Sequence, residues 1–228
     1  LLVAYNANDS SVPSSYYNAK FKIIDQTGAI VQSETQINTT TGSSQTRWLQ
    51  AVQLDNGNIA FAFQLSTNSH YAVRIFTQAG SAVTSEIRIA GSGQTGDRAG
   101  YPRAFDLIAL SDGGFVTAWS GDGSSASYSN IMLMKFDASG TVVNQNGASY
   151  LKIYSNISND SSVNLVSLPS GDFSLITRMY SGSSAVSRVI SSNLSNATTA
   201  SDVNLPVGVS GADSSFVPIL TPGGEGYV

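Results

Sequence analysis

The sequence predicts an all-β fold of the β-propeller type, with four repeats of four short antiparallel strands. Three observations predict it. A Leu-Gly landmark recurs about every 50 to 60 residues. The apolar runs between turns are too short, and wrongly phased, for helices. One run in each well-formed repeat is apolar on both faces, which requires cover from two sides.

Internal repetition is the primary signal. A Leu is followed three residues later by Gly at Leu54/Gly57, Leu110/Gly113, Leu168/Gly171 and Leu220/Gly223, with spacings of 56, 58 and 52 residues. A second turn follows an apolar-basic run at Gly28 ("FKIIDQTG"), Gly80 ("VRIFTQAG") and Gly140 ("LMKFDASG"), with a degenerate copy near Ser195 ("SRVISSNLS"). Residues 1–228 read as a single repeat domain with approximate repeats 1–40 (completed by 212–228), 41–92, 93–154 and 155–211.

Each repeat contains four runs. The first ends at the landmark Leu, as in "LQAVQL", and the second follows its turn, as in "FVTAW". Asp112-Gly113 and Asn56-Gly57 are tight-hairpin signals, expected to place both central residues at positive φ. Phe115, Val116, Ala118 and Trp119 leave the second run no polar face, so Trp119 is expected between neighbouring sheets. The third run alternates around a basic residue: Lys22, Arg74 and Arg188, with Lys135 one residue out of register and hence on the opposite face. The fourth run, "IVQSETQI" in the first repeat, carries Glu34, whose repeat equivalent is Glu86.

The ends are complementary. "GEGYV" supplies the first half of a second run and "LLVAYN" the other half, so Leu1 and Val228 are expected to meet in one closing blade. Both ends also read as cuts in a longer chain.

Composition narrows the function. Only 11% of the 228 residues are charged and the net charge is −4, which gives no footprint for nucleic acid. No apolar run reaches the length of a membrane helix, so no membrane insertion is expected. Cysteine is absent and there is one histidine, so neither disulfides nor a thiolate or zinc site is expected, and no cofactor or metal is called for. Ser and Thr make up about a quarter of the chain, a composition that fits an extracellular or cell-surface location.

The runs "INTTTGSSQTRWLQAVQLDNGNIAFAF" and "QTGDRAGYPRAFDLIALSDGGFVTAWSGDGSSASYSNIMLMKFDASGTVV" resemble repeats of very large surface and secreted proteins of marine bacteria and ciliates. Leu110 to Trp119, Tyr128 and Phe136 to Gly140 carry the match. The Leu54 copy is weaker, with Asn58 for the second Gly and Phe63 for the Trp, and the Leu168 copy weaker still. The resemblance implies a propeller-like fold, an extracellular setting and an adhesive or architectural role. It brings no catalytic residues.

The expected function is therefore a non-enzymatic structural or adhesive module. Its partners would be other protein subunits or surface glycans, in a larger assembly or filament. A carbohydrate-binding propeller is the second reading, with Tyr16, Tyr17, Tyr71 and Tyr128 as aromatic faces at the entrance of the third run. A glycan-active enzyme is third: Glu34 and Glu86 would lie one blade apart on outer strands, and Asp106 would pair locally with Arg103. His70 reads as a loop residue without a nucleophile elbow nearby. Asp and Asn cluster in "NANDSS", "GDGSS" and "SNISNDSS" without calcium-loop spacing. Six sequons, at Asn8, Asn38, Asn156, Asn159, Asn193 and Asn196, would be glycan acceptors in a eukaryotic secreted protein.

Overall fold

Four antiparallel sheets follow one another along the chain in the computed structural model. It describes residues 1–8, 17–39, 46–65, 70–90, 104–122, 128–145, 147–158, 162–180 and 184–205. Sheet one holds β1 (Leu2–Asn8), β2 (Tyr17–Ile24) and β3 (Ile30–Gln36). Sheet two holds β4 (Thr46–Gln53), β5 (Ile59–Leu65), β6 (His70–Phe76) and β7 (Ile87–Ala90). Sheet three holds β8 (Ala104–Ala109), β9 (Phe115–Asp122), β10 (Tyr128–Phe136) and β11 (Leu151–Ser158). Sheet four holds β12 (Val163–Ser167), β13 (Phe173–Tyr180), β14 (Ser184–Ile190) and β15 (Asp202–Leu205). Strands within a sheet pair in sequence order. β4, β8 and β12 approach one another across sheet boundaries, which makes them the inner strands of the blades. This is the all-β propeller expected from the repeats, and no helix occurs among the described residues. Residues 212–228, and with them the expected meeting of Val228 and Leu1, lie outside the described residues.

The turns differ in detail from expectation. At the landmark turn Gly57 N donates to Leu54 O (2.9 Å) and Leu54 N to Asn58 O (2.8 Å). Gly57 and Gly113 have φ of +83° and +84°, but Asn56 and Asp112 are not in the left-handed region. The connection is thus a three-residue hairpin with a glycine bulge, not a two-residue primed turn. The side chains explain this: Asp112 Oδ1 accepts from Gly114 N (3.1 Å) and Asn56 Oδ1 from Asn58 N (3.0 Å). They brace the turn two residues ahead instead of adopting positive φ. Gly114 is required by space, since a Cβ there would lie 2.4 Å from Phe136 O.

Burial between sheets is continuous. Phe21 of sheet one meets Phe61 of sheet two with ring centroids 4.8 Å apart. Tyr71 of sheet two meets Phe105 of sheet three at 4.5 Å. Val116, Ala118 and Leu133 of sheet three pack with Phe173, Leu175 and Val186 of sheet four. The second strand of a blade therefore has no solvent face, as its sequence requires. Trp119 is fully buried in the cluster between sheets two and three.

The basic residues also fall as their register predicts. Arg74 faces back to sheet one, where Nη1 donates to Ile37 O (2.7 Å). Arg188 pairs with Asp202 (2.7 Å) and lies over the Tyr154 ring of sheet three, 4.5 Å from its centroid. Lys135, one residue out of phase, reaches the other way to Ser192 O of sheet four (2.8 Å). Glu86 accepts from Thr39 N (2.9 Å), so it holds the end of sheet one instead of lying at a free edge. Glu34 binds Lys20 and Tyr5 within its own sheet.

Replacing Trp119 tests this packing. Trp119→Ala is expected to cost about 3 to 5 kcal/mol in denaturant unfolding. A loss below about 1 kcal/mol would place the residue outside the load of the core.

Candidate functional site

The inner strands repeat one polar position. Four residues before the landmark Leu stand Gln50 on β4, Asp106 on β8 and Asn164 on β12. In register they oppose Ala62, Ala118 and Ile176, so they occupy equivalent places in three successive blades.

Asp106 links all three. Its Oδ2 accepts from Leu165 N of β12 (2.6 Å) and its Oδ1 from Leu107 N (2.9 Å). The Gln50 side chain of β4 lies beside it and favours its charged form. Burial pushes the Asp106 carboxyl above the usual aspartate range, and these three groups only partly offset the push. The expected ion pair with Arg103 cannot be followed, because Arg103 lies outside the described residues. What Asp106 does instead is tie the inner strands of sheets two, three and four together. The sequence carried a signal for this in the shared offset from the Leu landmark, which the reading of local pairs passed over.

Beside Gln50 an open cleft of about 360 Å³ is lined, among the described residues, by Trp48, Leu49, Gln50, Ala104 and Phe105. It lies between the inner strands of sheets two and three. Gln50 Oε1 is buried and has no hydrogen-bond partner among the described residues, an acceptor in the cleft wall. Trp48 has φ of +41° and stands at a register shift between Arg47 and Leu49. A bulky residue in that region carries about 1 to 3 kcal/mol of strain.

The sequence-predicted residues are dispersed. Tyr71 is enclosed, 1% exposed, against Phe105, and offers no face to a ligand. Its place next to the inter-blade core is the reason: it enters the third strand on the apolar side. Tyr17 is exposed at the start of β2. Tyr16 and the side chains of Tyr128 and His70 lie outside the described residues. Asn38 is buried, its Nδ2 donating to Asn18 Oδ1 (3.0 Å), so it is withdrawn as a glycan acceptor. Asn193 and Asn196 cap the turn after β14 through Ser195 N and Ser191 N. Asn8 is exposed at the end of β1, whereas Asn159 and the side chain of Asn156 lie outside the described residues. Among the described residues no three His, Cys, Asp or Glu side chains converge as a metal site needs.

No family profile and no curated protein matches the chain. Solved structures do. An exo-β-1,3-galactanase from Phanerochaete chrysosporium with galactose superposes at TM-score 0.53 and 13% identity, over 92% of this chain and 48% of that one. An α-L-arabinofuranosidase from Fusarium graminearum gives 0.56 and 9%, over 90% and 59%. An exo-β-1,3-galactanase from Clostridium thermocellum gives 0.52 and 10%, over 92% and 46%. The chain thus spans about half the length of these enzymes, and at such identity the likeness establishes the β-propeller fold.

The matches correct the expectation of a non-enzymatic adhesive or architectural module. That expectation took a repeated framework without catalytic motifs as a sign that there was no chemistry. The three solved structures named above, which share this framework, are glycan-cleaving enzymes. In a propeller the repeated residues build turns and blade contacts, and they are silent about what the inner strands carry.

Asp106 gives a pH test. Its folded pKa is raised, so the stability it contributes is fully present below the ordinary aspartate pKa and is lost as pH rises through the folded value. Thermal melts of the wild type and Asp106→Asn between about pH 3 and pH 7 are expected to show the wild type losing ground relative to the variant as pH rises. A constant or opposite difference would show that the carboxylate is not held against a burial penalty.

Proposed function

We propose that the chain forms part of a glycan-active β-propeller enzyme that seats its oligosaccharide in the cleft between β4 and β8. The observation that carries this reading is the cleft itself. It opens at the inner strands, it is lined by Trp48, Phe105 and Gln50, and the Asp106 carboxylate lies behind Gln50. The galactanases and arabinofuranosidase that share the fold supply the substrate class, β-1,3-linked galactose or arabinose oligomers.

Glycoside hydrolysis needs two carboxyl groups flanking the scissile bond, about 5 to 9.5 Å apart. Asp106 is the single carboxylate on β4, β8 or β12. Its oxygens are taken by the N–H groups of Leu165 and Leu107, so it serves as a positioning residue that orients Gln50 and fixes the spacing of β8 and β12. Glu34 on β3 and Glu86 just before β7 are engaged at the outer side of their sheets and do not supply a pair. The described residues thus form the binding part of such a site. An extracellular setting suits a polymeric substrate, and the low-charge, Ser- and Thr-rich composition and the blade motif's resemblance to secreted repeats support it.

Incubation with β-1,3-galactan and arabinan oligosaccharides, with released monosaccharide measured by chromatography, tests the reading. Saturable binding of one of the two classes is the expected result, and release of its monosaccharide would add the carboxyl pair that the described residues lack. Absence of release from both classes, together with no binding by calorimetry at about 10 mM, an affinity weaker than about 3 kcal/mol, would overturn it.

A further inference from the structure

We infer that Trp48 is the platform on which one neutral sugar ring stacks, and that the bulge in β4 serves to present it. This rests on the glycan-active reading and adds the residue that selects the substrate. Three observations converge on it.

The first is exposure. Trp48 is 52% exposed, while the only other tryptophan, Trp119, is at 0%. A large apolar side chain left in water beside a cleft has no role in the core of its blade. The second is conformation. At φ +41° Trp48 holds a backbone that aromatic residues rarely adopt, and such a residue persists where its surroundings enforce it. The third is register. Arg47 pairs with Gln64 and Leu49 with Phe63, so Trp48 is the extra residue of the bulge. β8, the equivalent inner strand of sheet three, pairs with β9 without any shift, and Ala104, at the place of Trp48, faces Ser120. The blade therefore folds without a bulge at this place. Sheet two has one, and its effect is to take one side chain out of strand alternation.

The chemistry around Trp48 defines the ligand. Its described neighbours in the cleft are Leu49, Gln50, Ala104 and Phe105, none of which carries a charge. Apolar walls with one amide suit a ring that is apolar on its C–H face and hydroxylated at its rim. The indole covers the face, and the amide meets the rim. A neutral pyranose or furanose has these properties.

The indole itself reports the test. Trp119 is sealed, so a change in tryptophan emission on adding β-1,3-galactotriose or arabinobiose arises at Trp48. A saturable shift is expected with whichever oligosaccharide the protein binds or cleaves. Trp48→Ala is expected to weaken Kd or raise KM at least about tenfold, with the melting temperature within about 3 °C of the wild type. Trp48→Phe is expected to recover most of the loss. Should the alanine variant fail to fold, Trp48→Gly, which suits the positive φ, takes its place. Binding within about twofold of the wild type in these variants, with hydrolysis intact, overturns the inference alone. A wild type that neither binds nor cleaves any of the oligosaccharides overturns the glycan-active reading with it. A change in oligomeric state in Trp48→Ala without a change in sugar affinity assigns the indole to a protein contact and also overturns the inference.

Discussion

Two-sided burial of β5, β9 and β13, the second strands of sheets two, three and four, is the constraint on which the rest of this structure depends. Phe61, Phe63 and Ala62 on β5, and Phe115, Val116 and Trp119 on β9, leave those strands no face for water. Each sheet must therefore find a neighbour on both sides, and successive sheets stack around an axis. Clusters such as Phe21–Phe61–Phe76 and Tyr71–Phe105 occupy the gaps. The charged residues follow from the same demand. Arg74, Arg188 and Lys135 lie on faces that meet another sheet: Arg74 and Lys135 each donate a hydrogen bond across to it, and Arg188 sets its guanidinium over the Tyr154 ring. Low overall charge is the compositional trace of a chain with much of its strand surface buried.

The axis is where this uniformity gives way. Inner strands are covered on one edge only, so their side chains can differ from blade to blade without harm to the stack. Gln50, Asp106 and Asn164 share a position but not a chemistry. Asp106 uses the freedom to bind two neighbouring inner strands at once, and Trp48 uses it to leave the strand's alternation. A rigid, packed set of strands can hold such a strained residue, because the pairs on either side of the bulge fix its backbone.

How much of this was legible in the sequence follows from the same division. The turns and strands were legible because they repeat: Leu-x-x-Gly marks the same hairpin in sheets two, three and four, and the phase of Arg74 against Lys135 gave their opposite faces. The turn class was missed because Asp112 and Asn56 can either enter the left-handed region or brace the turn from outside, and the dipeptide alone does not distinguish the two. The site was missed for a deeper reason. Tyr71 recurs with Tyr17 and Tyr128, and recurrence is the mark of framework, which is where Tyr71 lies. Trp48 occurs once, and a sequence pattern offers no way to see that one residue of "TRWLQ" is looped out of register. The non-enzymatic reading failed likewise, because it weighed the residues that repeat.

The central claim is that an oligosaccharide binds where the inner strands of sheets two and three part, and a crystal structure of the protein soaked with β-1,3-galactotriose or arabinobiose tests it most directly. Sugar density within about 4 Å of Trp48 and Phe105 is the predicted result. Density confined to the hairpin turns or the outer strands β3, β7, β11 and β15, with the cleft empty, would contradict the account.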